Sequence, residues 1–243
     1  KITEQELESP EVIHFMGNIF AARNYIETAI DKYKQALQIK PDYAAAYNSL
    51  GIAFKKKNDL NNAIENYKKA ISVKLDYAEA FNNAANALRA KGDLKAAIKN
   101  YKKALQIKPE FIAIYNNLGS TLADIGDLDG AIDSEQQALK IKPDSFEAYT
   151  NMGIAWLLKG KVDVAIDCHK EALRINPDYA MAHWNQSLAY LSKADFQNGW
   201  LAYEWRWKAT DEIGKYLSTS KPIWRPSRGQ RVLLWAEQGV GDE

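Results

Sequence analysis

Chemistry-bearing residues are scarce in this 243-residue sequence, and each shortage removes a class of function. There is one cysteine, Cys168, so no internal disulfide can form and nothing marks an oxidising compartment. The three histidines, His14, His169 and His183, stand in no His-Glu-x-x-His arrangement, and no Cys-x-x-Cys pair exists. No metal site and no other cofactor is therefore expected. An excess of either charge is also lacking: Lys plus Arg total 32 and Asp plus Glu 31, a balance of +1. A dedicated nucleic-acid binder needs a clustered basic excess to track phosphates, so nucleic acid is not an expected partner. No apolar run approaches the ~18 residues needed to cross a bilayer, so no membrane association is expected. No secretory segment opens the sequence, and the expectation is a cytoplasmic protein.

What the sequence has is a period. Pro41, Pro109, Pro143 and Pro177 are spaced by multiples of 34, with Leu75 in the skipped slot. Small residues keep the same step: Gly17, Gly51, Ala85, Gly119, Gly153, Ser187; then Ala29, Ala63, Ala97, Ala131, Ala165, Gly199; then Ala36, Ala70, Ala104, Ala138, Ala172. Repeats of this length are supersecondary units that bury a core by stacking. Within a unit, Tyr47, Leu50, Gly51 and Phe54 follow i, i+3, i+4, i+7, one face of a helix, and Ala63, Tyr67 and Ala70 mark a second. Between them, Asn58-Asp59, Gly92-Asp93 and Gly126-Asp127 suit a left-handed cap followed by an N-cap. Proline ends each pair, because it cannot continue a helix. The small residues mark close helix crossings.

The run Tyr47-x2-Leu50-Gly51-x2-Phe54, then Ala63-x3-Tyr67, then the proline slot, resembles the tetratricopeptide repeat. Five full units match, 10–43, 44–77, 78–111, 112–145 and 146–179, and a degenerate sixth spans about 180–208. Residues 1–9 precede them and 209–243 follow. The fold class expected is all-α, a right-handed superhelix of helix pairs. Glu135 and His169 replace the tyrosines of Tyr33, Tyr67 and Tyr101, which predicts looser packing of those two second helices.

In this family the first helix of each pair lines the concave side. Asn117 falls two residues after Tyr115, about 200° round the helix, away from the core stripe. That position recurs as Asn83, Asn117, Asn151 and Asn185, with Phe15 and Ser49 in the first two units. One residue earlier stand Asn48, Asn82 and Asn116, then Thr150 and Trp184. An asparagine amide donates and accepts, so such a ladder can hold an extended backbone. Alternatively, it bonds neighbouring helices and sets the superhelical pitch; both readings stand. The pattern is similar to the tetratricopeptide arm of O-linked N-acetylglucosamine transferases, which implicates Asn83, Asn117, Asn151 and Asn185 in holding acceptor polypeptide. The same surface includes Glu79, Asn86, Arg89, Ser120, Asp124, Glu147 and Ile154, mixed in sign. No Lys/Arg/Asn cluster forms a clamp for a terminal carboxylate.

The tail changes character. Five of seven tryptophans lie from Trp200 onward. Trp200, Tyr203 and Trp207 share a helical face, expected to cap the last repeat. Residues 209–228 read as linker, and Arg231 to Ala236 as a short buried strand before a glycine loop. This block resembles bacterial tetratricopeptide proteins that carry a C-terminal glycosyltransferase-like domain. Cys168 beside His169 suggests a nucleophile and base, but adjacent helical residues point about 100° apart and both fall on packing positions, so no catalytic site is expected. Three functions follow: a module binding a partner protein or extended peptide in its groove; the acceptor-binding arm of a truncated glycosyltransferase; and a scaffold of self-associated copies.

Overall fold

A computed structural model of the chain describes residues 9–209. Among the described residues there are thirteen helices and no strand. They fall into two compact units divided after Pro143. The first holds α1 (Pro10–Ala22), α2 (Ile26–Ile39), α3 (Ala44–Lys56), α4 (Leu60–Val73), α5 (Ala78–Ala90), α6 (Leu94–Ile107), α7 (Ile112–Asp124) and α8 (Leu128–Ile141). The second holds α9 (Phe146–Leu158), α10 (Val162–Ile175), α11 (Ala180–Ser192), α12 (Phe196–Tyr203) and α13 (Arg206–Ala209). The expected strand and linker lie outside the described residues.

The turn inside each pair is built as its residues require. Asn24, Asn58, Gly92, Gly126, Gly160 and Ala194 occupy one repeat position, and all six have positive φ, from 58° to 88°. That left-handed residue closes the first helix of each pair, which is why Gly and Asn dominate the position. Asp59, Asp93, Asp127 and Asp195 then cap the second helix, their side chains accepting from the backbone N–H three residues on.

In the first unit each first helix packs on its own second helix, and each second helix packs on the next first helix. The first helices also touch one another in order, α1 on α3, α3 on α5 and α5 on α7, so they form the inner row of this stack. The core sits where the small series meets the second helix. Ala29, Ala36, Ala63, Ala70, Ala97 and Ala104 are all fully buried. A Cβ on Gly17 would come within 2.5 Å of the Tyr33 ring, and one on Gly51 within 2.6 Å of the Tyr67 ring, so the aromatic occupies the space that glycine vacates. Glu135 and His169 fill the same slot against Gly119 and Gly153, at 1% and 0% exposure. The looser packing expected there is not what the structure shows: with no Cβ opposite, a shorter polar side chain still fills the slot.

In the second unit α9 packs on α10, α10 on α11, and α11 on α12 and α13. Of the expected capping face, Trp200 is 57% exposed and its ring meets Tyr203 edge-on, and the Trp207 side chain lies outside the described residues. Trp205 makes a contact of its own, its ring stacked on His183 at 4.0 Å where α13 meets α11. The helix breaks after Tyr203, and that break turns Trp205 inward.

Candidate binding face

The inner row of the first unit joins the two asparagine series. Asn83 Nδ2 donates to Asn48 Oδ1 at 3.0 Å, and Asn117 Nδ2 donates to Asn82 Oδ1 at 3.5 Å. Between α1 and α3 the same place is taken by His14 Nε2 and Ser49 Oγ, 2.9 Å apart. Each bond spans 35 residues, one repeat plus one, so each ties a first helix to the next. Such bonds contribute about 1 kcal/mol each, and the one at the long limit less. These pairs are bonds between neighbouring helices, the contact that the second reading of the ladder requires. Asn116 is half-buried, with a buried Oδ1 that has no hydrogen-bond partner.

The His14 rung has further support. Nδ1 lies 3.2 Å from the Tyr43 hydroxyl, and the ring packs against Tyr33 and Tyr43. Burial holds its pKa below the ordinary histidine value, so the ring is neutral at pH 7. A neutral ring with the proton on Nε2 donates to Ser49 and accepts from Tyr43, which satisfies both nitrogens. This rung is hidden in the sequence, because Phe15 stands in the series position and His14 breaks the companion set of asparagines that begins at Asn48. Its signal was the 35-residue step from His14 to Ser49.

Two further residues expected to face a partner are committed to neighbours. Asn86 Oδ1 accepts from the Tyr101 hydroxyl at 2.6 Å, joining α5 to α6. Arg89 is paired to Asp124 on α7, with Nε and Nη2 at 3.0 and 2.8 Å from one carboxylate oxygen. The Asn–Tyr bond recurs in the first repeat, where Tyr33 donates to Asn18 at 2.9 Å. It fails in the second repeat: the residue in register is Ile52, and the buried Tyr67 hydroxyl has no partner.

In the second unit the corresponding residues turn to their own helices. Asn185 Nδ2 donates to the Met181 carbonyl and Thr150 Oγ1 to the Phe146 carbonyl, both at 2.8 Å. Asn185 is 8% exposed, which removes it from the expected contact set. Asn151 lies half-buried on α9.

Beside the His14 rung the inner row opens into a cavity of about 180 Å³ lined by Asn18, Ala21, Tyr33, Ser49, Ile52, Ala53 and Lys56. The Cys168–His169 pair offers no reactive thiolate. Burial, then the Asp167 charge, push the thiol up to about 11, and burial holds the imidazole down at about 4. Both ring nitrogens of His169 are buried without a partner. Among the described residues no group of three or more His, Cys, Asp or Glu could hold a metal ion, and no helix is long and apolar enough to cross a membrane.

Comparison with known proteins bears on the helix pairs. The TPR repeat profile matches residues 17–58, 53–88, 85–126 and 120–160, more than half of the chain. The chain is a tetratricopeptide-repeat protein. No curated protein matches it. A solved structure of MamA is 26% identical, with a TM-score of 0.64, over 71% of this TPR chain and 94% of that one. YrrB, a TPR protein with an unusual peptide-binding site, is 22% identical with a TM-score of 0.63, over 74% of this chain and 92% of its own. A tetratricopeptide repeat protein from Parabacteroides merdae is 16% identical with a TM-score of 0.74, over 84% and 81%. The last two likenesses concern the fold.

Proposed function

We propose that this TPR protein is an interaction module that holds an extended stretch of partner polypeptide along the first helices of its first unit. One observation carries the reading. Asn83 and Asn117 use the amino half of their amides for the rungs, and their Oδ1 atoms have no partner among the described residues. Those acceptors stand one repeat apart. At helix spacings of 8–10 Å that is roughly two to three residues of extended chain, so the two acceptors would take backbone N–H groups separated by that distance and not adjacent ones.

The test is selection of a phage-displayed random peptide library on the protein, followed by affinity measurement on the Asn83→Ala/Asn117→Ala variant. Loss of two hydrogen bonds at about 1 kcal/mol each predicts roughly tenfold to thirtyfold weaker binding. Failure to select any peptide would overturn the reading. The finer reading, an acceptor-binding arm of a sugar-transferring enzyme, rests on the wording of residues 205–243. It predicts a parent reading frame that continues into several hundred residues of alternating strands and helices. The self-assembly reading predicts a sedimentation coefficient that rises with concentration.

A further inference from the structure

We infer that the cavity between α1 and α3 is a specificity pocket that takes one apolar side chain of the held polypeptide, with a carboxylate of the same segment on Lys56. This rests on the holding function proposed above and says what the held segment must contain.

The first observation is the lining. Two of its polar atoms are bonded from within: Asn18 Oδ1 accepts from Tyr33, and Ser49 Oγ is bonded to His14. The apolar part of the lining is the Tyr33 ring, Ala21, Ala53 and Ile52; Tyr33 and Ala53 are buried, at 2% exposure each, and the Ile52 side chain is 40% exposed. A volume of about 180 Å³ suits a side chain of Leu, Met or Phe size, since an apolar cavity near 150 Å³ takes up benzene. Lys56 is exposed at the edge of this lining and has no carboxylate partner among the described residues. The other first helices of this unit carry Ala22, Ala90 and Asp124 in that register, so the combination of Ile52 and Lys56 occurs at this junction alone.

The second observation is independent of the cavity. In the first and third repeats the residue in register with Ile52 is Asn18 or Asn86, and it accepts from the tyrosine of its own second helix. Ile52 cannot accept, and Tyr67 is left fully buried with an unbonded hydroxyl. A buried unsatisfied hydroxyl destabilises a fold. Ile52, like Ile154 in register opposite the unbonded His169, thus replaces the accepting amide of the first and third repeats by an apolar side chain, and in the first unit it does so at this junction alone. Departures of that kind are expected where function, not folding, sets the residue.

Ile52→Asn separates the two demands. It restores the amide that Tyr67 lacks, so the melting temperature should hold or rise, while the apolar wall is lost and selected peptides should bind about tenfold more weakly. Peptides taken from the random phage library and then synthesised should share an apolar residue with an Asp or Glu within a few residues. Apolar→Ala in such a peptide should weaken binding about thirtyfold. Lys56→Glu should weaken the acid-bearing peptide about tenfold, and far less its Asn or Gln version. If peptides bind without that pattern, or if Ile52→Asn leaves their affinity unchanged, the pocket is wrong and the holding function stands. A fall of melting temperature and affinity together in Ile52→Asn would make Ile52 structural and overturn the assignment. If no peptide is selected, the holding function fails and the pocket with it.

Discussion

His169 shows what a single residue contributes to the response of this fold to acid. It is fully buried, with neither ring nitrogen bonded, and its pKa sits near 4 because burial disfavours the imidazolium. In the unfolded chain it titrates near 6.5, so between these values the unfolded chain binds the extra proton. Stability from this source is therefore complete above pH 6.5 and falls as the pH drops toward 4, by roughly 3 kcal/mol in all. His169→Phe should flatten that part of the stability–pH curve, read as urea midpoints at pH 7 and pH 4.5. An unchanged slope would assign the acid sensitivity elsewhere. At Ala194, a non-glycine residue holds φ at 58°. Ala194→Gly relieves that strain and should raise stability by about 0.5–1 kcal/mol in thermal melts. The tyrosine slot was legible in sequence as a position and its occupants as departures. Their full burial was not, because it depends on Gly119 and Gly153 lying opposite, a contact between helices that no single-helix pattern displays.

At the scale of the element, the caps were readable because they are local. The left-handed residue and the aspartate after it act on backbone within a few residues, so Asn58-Asp59 and Gly92-Asp93 announce the turn directly. The rungs were only half readable. Both asparagine series could be found, but whether they face a partner or each other depends on the distance between helices. Asn48→Ala leaves the Asn83 amide without its acceptor and should cost about 1 kcal/mol. The double variant with Asn83→Ala should cost less than the two single changes added, and strict additivity in denaturant titrations would mean that the rung is energetically silent. Ala97, fully buried at the α5–α6 crossing, leaves no room for growth. Ala97→Leu should lose roughly 1–3 kcal/mol, and an unshifted melting curve would count against the close crossing.

For the whole molecule, the period of 34 was sufficient to read the class of fold, since three small-residue series and a proline series agree on one register. It was not sufficient to read the binding face. Asn86, Arg89 and Asn185 look available in sequence and are engaged in the structure, while Ile52 and Lys56 carried no signal except as breaks in a register. The division after Pro143 leaves four complete helix pairs in the first unit. Stacked repeats reach independent stability from about three units, so residues 9–143 alone should unfold in one cooperative calorimetric transition. A broad transition without a defined midpoint would show that they do not.

The rungs join residues 35 apart in an array whose period is 34, so each bond runs from one kind of position to a different kind in the next repeat. A copied unit that carries both asparagines arrives with an acceptor for its successor and a donor for its predecessor. Duplication of such a unit, 78–111 or 112–145, therefore places an asparagine pair at the new junction, and deletion of 78–111 brings Asn48 into register with Asn117. The array can lengthen by gene-level copying of those units without redesign of their joints, while the His14–Ser49 rung and the unpartnered Asn116 Oδ1 mark where that pairing gives way to other solutions.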